Sequence, residues 1–404
     1  MTQSTDDKDH YRHSPLEEFH CENGAKMVPF AGWIMPLSYG SERSEHLAVR
    51  SQTGLFDLSH MGGIIVSGSD ATRYLNRHFV SDIEKIRLGK AKYTLCCGIG
   101  GEILEDLVVY RIDNSQYLLI VNASNTYFIS QRLQETYGFS VKVDHLSGRY
   151  ALIAIQGPKS VDVLQKIADQ DITFLSYYSI MNTTIKGIES FIARTGYTGE
   201  DGFEILSPVE DINSVVNLLL NEGSRDGIRL CGLAARDSLR LEAGMALYGN
   251  ELTPETNPFE AGLSRLVDFS KREDFIGRSA LLDFKDQVPG KTLVGLEVFS
   301  KRPARHDYKL AVPVASYDPA NSRSADLNTF MGRISTNEKE EECELIEVGR
   351  VTSGIVSPSL NKSIAMAYID TGFALTGSDV YIEMRSDIYP AKVVNLPFYV
   401  RNKV

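Results

Sequence analysis

R-T-G-Y-T-G-E-D-G-F-E-I, Arg194 to Ile205, and then A-A-R-D-S-L-R-L-E-A-G, Ala234 to Gly244, carry the most information in this chain. Gly196, Gly199 and Gly202 let the first backbone turn tightly and let a flat ligand come close. The carboxylates Glu200, Asp201 and Glu204 stand among them, and a carboxylate suits the N–H edges of a guanidine-like heterocycle. The second segment reads as a helix carrying Arg236, Asp237 and Arg240. An arginine fork pairs bidentately with an anionic tail. Taken alone, the first segment fits an ordinary surface hairpin loop equally well.

Working outward, 404 residues exceed one typical core and predict two or three domains. Hydrophobic content of 43% and charged content of 24% are those of a globular protein. A net charge of −11 argues against a nucleic-acid backbone as partner but leaves room for a basic pocket that takes a small anionic tail. The cysteines Cys21, Cys96, Cys97, Cys231 and Cys343 show no C-x-x-C spacing and read as reduced thiols. Cys96 and Cys97, adjacent on an expected strand, alternate sides and make poor disulfide partners. The histidines form no ligand-spaced pair, so no metal site is expected. No apolar run is long enough for a membrane span. The acidic, polar start M-T-Q-S-T-D-D-K-D-H lacks the features of a signal or transit peptide, and the expectation is a cytoplasmic protein.

The alternation of patterns predicts an α+β fold rather than a doubly wound sheet. Gly62–Gly68, Leu104–Arg111 and Gln116–Val121 read as strands, the last buried on both faces. The sequence Ser207-Pro208-Val209-Glu210 reads as a capping box opening a helix whose apolar face is Ile212, Val215, Val216, Leu219 and Leu220. Gly157-Pro158 precedes a second stripe, Val161, Leu164, Ile167 and Ala168. The run Gly98-Ile99-Gly100-Gly101 lacks dinucleotide-loop spacing and reads as a hairpin turn. From about Lys291 the segments K-T-L-V-G-L-E-V, Y-K-L-A-V-P-V and D-V-Y-I-E-M predict a small β-barrel or sandwich. The polar stretch from Ser316 to Glu347 reads as an inserted surface loop.

Four further stretches decide between readings of the opening segment. G-A-K-M-V-P-F-A-G-W-I-M-P-L (Gly24–Leu37), G-L-F-D-L-S-H-M-G (Gly54–Gly62), G-G-E-I-L-E-D-L-V-V-Y (Gly100–Tyr110) and G-R-V-T-S-G (Gly349–Gly354) follow in order along the chain. With the first two segments they resemble the aminomethyltransferase (T protein) family of the glycine cleavage system, over nearly the whole length. The resemblance implies a multidomain folate-binding aminomethyltransferase fold arranged as a three-part ring. A folate-binding α+β domain would span 1–55 and 148–290, an inserted second α+β domain 56–147, and a C-terminal β-barrel domain 291–404. The polar stretch 316–347 departs from the family, whose connection there is usually shorter.

Paired acids Glu105 and Asp106 open a strand, where alternation sends them to opposite faces and lets only one meet a given pocket. The family's functional acid aligns with Asp106, the catalytic residue that the resemblance implies, while Glu105 replaces the first of two aspartates. The same alignment places Glu204 at the pterin edge, with Met61 and Tyr93 as neighbours and Asn122 and Tyr197 lining the cleft. It brings Arg236 and Arg401, with Tyr248, to the glutamate end of tetrahydrofolate.

The implied reaction moves the one-carbon unit of an S-aminomethyl-dihydrolipoyl group to tetrahydrofolate, with release of ammonia. The donor would arrive on the lipoyl-bearing carrier (H protein), since no residue here can hold an aminomethyl group covalently. A positioned carboxylate suffices for such chemistry. Two other functions share the expected fold: a non-catalytic folate-binding protein of iron–sulfur cluster maintenance, and the folate half of a sarcosine or dimethylglycine demethylating enzyme. The first group carries a K-G-C-Y-x-G-Q-E pattern where this chain has R-T-G-Y-T-G-E-D. The second needs a flavin domain for which the chain has no dinucleotide fingerprint.

Overall fold

The computed structural model describes residues 11–317, 328–336, 339–385 and 387–401. They fall into two compact units, one formed by Met1–Thr94 with Glu105–Asp237 and the other by Leu95–Leu104 with Ser238–Val404. Fold and content are α+β, as the pattern predicts.

The first unit is built on a six-stranded sheet in the order Ile180–Ile185, Ile188–Ala193, Gly202–Pro208, Tyr150–Gln156, Thr53–Asp57 and Ile228–Cys231. All pairings are antiparallel except the last, where Ile228–Cys231 runs parallel to Thr53–Asp57. Ile153, Ile155, Phe203 and Ile205 from its centre pack with Val163 and Leu164 of one helix and Val215, Val216 and Leu219 of another. The apolar stripes anticipated on both helices are therefore the ones that bury. Their starts differ from expectation. Ser207 and Pro208 belong to the strand Gly202–Pro208, and the helix Ile212–Gly223 begins after Asp211 without a side-chain cap. Ser207 bonds across the sheet to Ser190 at 2.8 Å instead, so pairing of the backbone outcompeted the local capping pattern.

A five-stranded antiparallel sheet follows the order Ala91–Cys97, Ile103–Asp113, Gln116–Val121, Gly62–Ser67 and Lys142–His145. Burial alternates along Ile103–Asp113, with Ile103, Glu105, Leu107 and Val109 inside. Gln116–Val121 is buried on both faces after its first residue. Between Cys97 and Ile103 the Gly98–Gly101 run makes the expected turn, with Gly101 N–H donating to the Gly98 carbonyl at 3.1 Å. The five cysteines form no disulfide.

In the second unit, antiparallel strands run in the order Lys309–Pro313, Asp379–Met384, Asp387–Val394, Lys291–Val298, Ser363–Asp370 and Lys339–Val356. Lys339–Val356 also pairs with Lys309–Pro313, so the six strands close on themselves as a barrel. Leu296, Leu310, Val312, Ala365, Ala367, Ile369, Val380 and Ile382 fill it.

Contrary to the expectation of a surface loop, the stretch 316–347 contributes a strand pair to the barrel sheet. Thr329–Thr336 is a seventh strand, paired residue by residue with the first half of Lys339–Val356. Ile334 and Leu345 from this hairpin bury against Ala311. The polar composition concealed an alternating pattern because only one face of the hairpin needs apolar side chains. Residues 318–327 of that stretch lie outside the described residues. Among the described residues no helix is long and apolar enough to cross a membrane.

Candidate active site

Asp106 lies on Ile103–Asp113, the strand between the hairpin partners Ala91–Cys97 and Gln116–Val121. The Tyr93 hydroxyl donates to Asp106 Oδ2 at 2.9 Å, and Asn122 Nδ2 donates to Oδ1 at 2.8 Å. One donor thus comes from the strand Ala91–Cys97 and the other from the residue that follows Gln116–Val121. Burial raises the Asp106 carboxyl from 3.8 to about 6, against the opposing pull of those two bonds. The result is a desolvated, oriented carboxylate that exchanges its proton near neutrality.

Glu105 turns the other way. Its Oε1 accepts the Asn122 backbone N–H at 2.6 Å and its Oε2 accepts from Asn125 Nδ2 at 2.5 Å. Burial first, and then the charge of Asp106, push its carboxyl well above the usual range. Glu105 therefore organises the Asn122–Asn125 turn that presents the Asn122 amide to Asp106.

The Arg194–Ile205 segment is shaped by one buried glutamine. Gln156 donates to the Thr195 carbonyl at 3.0 Å and accepts from the Thr198 hydroxyl at 2.8 Å. A Cβ at Gly196 would stand 2.0 Å from Gln156 Oε1, and one at Gly202 would stand 2.5 Å from Nε2, so both glycines are required for close approach. The three acids of the segment then separate in role. Glu200 pairs with Arg50 at 3.0 Å, and Asp201 forms a two-point bridge with Arg194 at 3.0 and 2.5 Å. Of the three, only Glu204 has no ion pair among the described residues. Its Oε2 accepts from Thr195 at 2.7 Å and Tyr110 at 3.2 Å, while Oε1 has no partner among the described residues.

The guanidinium of Arg236 stacks 4.7 Å from the centre of the Tyr197 ring. Among the described residues no carboxylate is paired with it within ion-pair distance, although burial pulls its pKa down and the nearby Tyr197 and Glu204 oppose that. Arg240, four residues on, is different: it is almost wholly buried and bridged to Glu251 at 2.8 Å. Ser353 of the Gly349–Gly354 stretch accepts from Arg240 at 2.7 Å, and Thr352 donates to Glu251 at 2.6 Å. That cation serves the second unit's core and is not a ligand group.

Met61 closes the turn after Thr53–Asp57, its N–H donating to the Leu58 carbonyl at 2.8 Å. Asp106, Tyr93, Asn122, Glu204, Tyr197, Arg236 and Met61 all belong to the first unit. Tyr248 and Arg401 belong to the second, where Arg401 is exposed.

Two residues of the first unit escaped the sequence reading. Tyr178 has φ of +59°, a strained conformation for an aromatic residue. Its N–H donates to the Arg194 carbonyl and its carbonyl accepts from the Ala91 N–H, which fixes it between the two sheets' segments. Burial pushes its phenol up, with Tyr177, Glu204 and Asp106 adding to the effect. No glycine or motif marks the turn, so nothing in the sequence announces it. His60 is buried, its Nδ1 has no hydrogen-bond partner among the described residues, and burial with the nearby Arg236 charge lowers its pKa to about 4. Its position inside D-L-S-H-M was visible, but its proximity to Arg236 is tertiary.

Comparison with known proteins bears on this arrangement. The GCVT N-terminal domain model matches residues 16–271, and the glycine cleavage T-protein C-terminal barrel domain model matches residues 329–399. An aminomethyltransferase of Streptomyces avermitilis is 43% identical over 97% of this chain and 98% of its own length. One from Listeria monocytogenes is 38% identical over 96% and 98%. The crystal structure of the glycine cleavage system aminomethyltransferase T from Bartonella henselae superposes with a TM-score of 0.83, at 32% identity over 96% of this chain and 98% of that one. Fold and relatives define the class, a transferase of the aminomethyltransferase kind. The chain belongs to the glycine cleavage T-protein family.

Proposed function

We propose that this chain transfers the one-carbon unit of an S-aminomethyl-dihydrolipoyl carrier protein to tetrahydrofolate. The products are 5,10-methylenetetrahydrofolate, ammonia and the dihydrolipoyl carrier. The observation that carries the proposal is Asp106: a carboxylate oriented by Tyr93 and Asn122, with its pKa raised to about 6.

The residues present fit a folate. Glu204 has an acceptor oxygen, Oε1, without a protein partner among the described residues, as the N–H edge of a pterin requires. Arg236, stacked on Tyr197 and not ion-paired among the described residues, suits a carboxylate tail. Tyr248 and Arg401 are assigned to that tail by family resemblance.

Bound tetrahydrofolate supplies the nucleophilic nitrogen. Asp106 holds that nitrogen's proton-bearing side and stabilises positive charge that develops there. Tyr93 and Asn122 keep its two oxygens in place, so no reorganisation is needed as the charge forms. Met61 and Tyr197 line the same cleft and exclude water. The lipoyl-bearing carrier is the partner, and the proposed location is the cytoplasm. The test is direct: purified protein, tetrahydrofolate and aminomethylated carrier are mixed, and ammonia and methylenetetrahydrofolate are assayed. Equimolar formation of both supports the proposal. Folate binding without ammonia release would point to a non-catalytic folate protein.

A further inference from the structure

Oε2 of Glu204 is held by two hydroxyls that come from different sheets of the same compact unit. Tyr110 lies on Ile103–Asp113 of the five-stranded sheet, and its hydroxyl donates to Oε2 at 3.2 Å. Thr195 follows Ile188–Ala193 of the six-stranded sheet, and its hydroxyl donates to the same oxygen at 2.7 Å. The two hydroxyl oxygens stand 3.0 Å apart. Glu204 itself is on Gly202–Pro208, opposite Ala193.

The position of Tyr110 on its strand adds a second connection. Asp106 and Tyr110 are four residues apart on Ile103–Asp113, so they share one face of the sheet. A single strand thus carries the carboxylate proposed for catalysis and the hydroxyl that reaches Glu204. Both clamping residues are buried, Tyr110 at 1% exposure and Thr195 at 4%. Burial, and then the Glu204 charge, push the Tyr110 phenol well above its usual range, so it stays a donor. Thr195 is fixed through its backbone, whose carbonyl accepts from the buried Gln156 at 3.0 Å.

Two hydroxyl protons are shared among three oxygens here. In every arrangement within the cluster, Oε2 accepts at least one of them and Oε1 accepts none. We propose that Tyr110 and Thr195 are positioning residues for tetrahydrofolate: they clamp Oε2 so that Oε1 meets the N–H edge of the heterocycle, and Tyr110 ties that acceptor to the strand of Asp106. The inference rests on the folate reading above. A fused heterocycle is rigid, so the point at which Glu204 holds its N–H edge also fixes where its reacting nitrogen stands relative to Asp106. With the carboxylate already oriented, little ordering of Glu204 remains to oppose binding.

The experiment uses the full chain with Tyr110→Phe, Thr195→Val, Thr195→Ser and the double variant Tyr110→Phe with Thr195→Val, each made also with Glu204→Ala. Tetrahydrofolate binding is measured by calorimetry and folding by thermal melting. The double variant is expected to raise the folate Kd about tenfold, the size of effect that hydrogen bonds to a charged group carry. Thr195→Ser, which keeps the hydroxyl, should recover most of the affinity that Thr195→Val loses. With Glu204→Ala in place, the hydroxyl changes should leave Kd where Glu204→Ala alone puts it, because residues that act through one side chain are not additive. A role in packing alone would instead lower the melting temperature and add its full effect to that of Glu204→Ala. Such additivity, or unchanged folate affinity in variants that melt like the parent, would overturn the clamp and leave the functional reading intact. If Tyr110→Phe fails to fold, the comparison of Thr195→Val with Thr195→Ser decides. A parent protein that binds no tetrahydrofolate overturns the reading and the clamp together.

Discussion

Single carboxylates in this protein are distinguished by what their neighbours do to them. Asp106 is raised from 3.8 to about 6 by burial, so between those values the folded protein binds a proton that the unfolded chain has released. On this group's account stability falls as pH rises through that window, and above it the folded state carries the full cost of a desolvated charge. Asp106→Asn removes that cost. It is expected to lower turnover by a factor on the order of 10²–10⁴ while the melting temperature at neutral pH stays equal or rises. Activity of the parent should climb with pH through about 6, a profile the asparagine variant loses. If Glu105→Gln were the crippling change and Asp106→Asn the mild one, the roles of the two acids would be reversed. Glu204→Gln keeps the shape of the side chain but removes its charge. A charged hydrogen bond contributes about 1.5–3 kcal/mol, so the folate Kd should rise about tenfold or more by calorimetry. Of these residues, Asp106 and Glu204 were proposed from their sequence motifs. Tyr178 was not, because its importance comes from backbone strain and from neighbours on distant strands.

Elements show where local pattern and global fold disagree. The strands of the barrel were legible, since Lys291–Val298 and Asp379–Met384 carry β-branched and aromatic residues between turn signals. The hairpin Thr329–Thr336 with Lys339–Val356 was misread as a loop, because polar and charged residues such as Thr329, Arg333, Glu342 and Glu344 stand at exposed positions between its buried ones. Leu345, fully buried with Ala311 and Ile334, is the position that tests this. Leu345→Ala should cost about 2–5 kcal/mol by denaturant unfolding, as large-to-small changes in cores do. A cost near zero would return the hairpin to the status of a dispensable loop. The buried Arg240–Glu251 bridge offers a second test at this scale. Glu251 also accepts the Leu247 N–H at 2.9 Å, so its loss strands several donors at once. Glu251→Gln should cost about 3–5 kcal/mol without altering the folate Kd, since the pair serves packing and not ligand binding.

At the scale of the whole molecule, the net charge of −11 makes the approach of any charged partner sensitive to salt. Encounter with a carrier held by rim charges should slow as salt rises, since the Debye length shrinks from about 10 Å at 0.1 M to about 3 Å at 1 M. Folate held by half-buried Glu204 and Arg236 should respond much less. Turnover against carrier concentration at low and high ionic strength, beside a folate titration under the same conditions, separates the two. Equal salt dependence for both would argue that no charged docking surface exists.

Length, charge and the ordered series of glycine-rich motifs determined the α+β class, the C-terminal barrel and the family, and singled out Asp106 and Glu204 as the acids to test. They could do so because those features are local: a motif is a short stretch, and strand and helix periods repeat within a few residues. Tertiary structure alone decided that Glu200 and Asp201 are spent on Arg50 and Arg194 while Glu204 keeps an oxygen free among the described residues. It alone decided that Arg236 lies over the Tyr197 ring, without an ion pair among the described residues, while Arg240, one helical turn away, is closed inside a core. Identical side chains at helical spacing carry the same local signal. Their chemistry separates only when the chain folds and sets one beside a tyrosine face and the other beside a buried carboxylate.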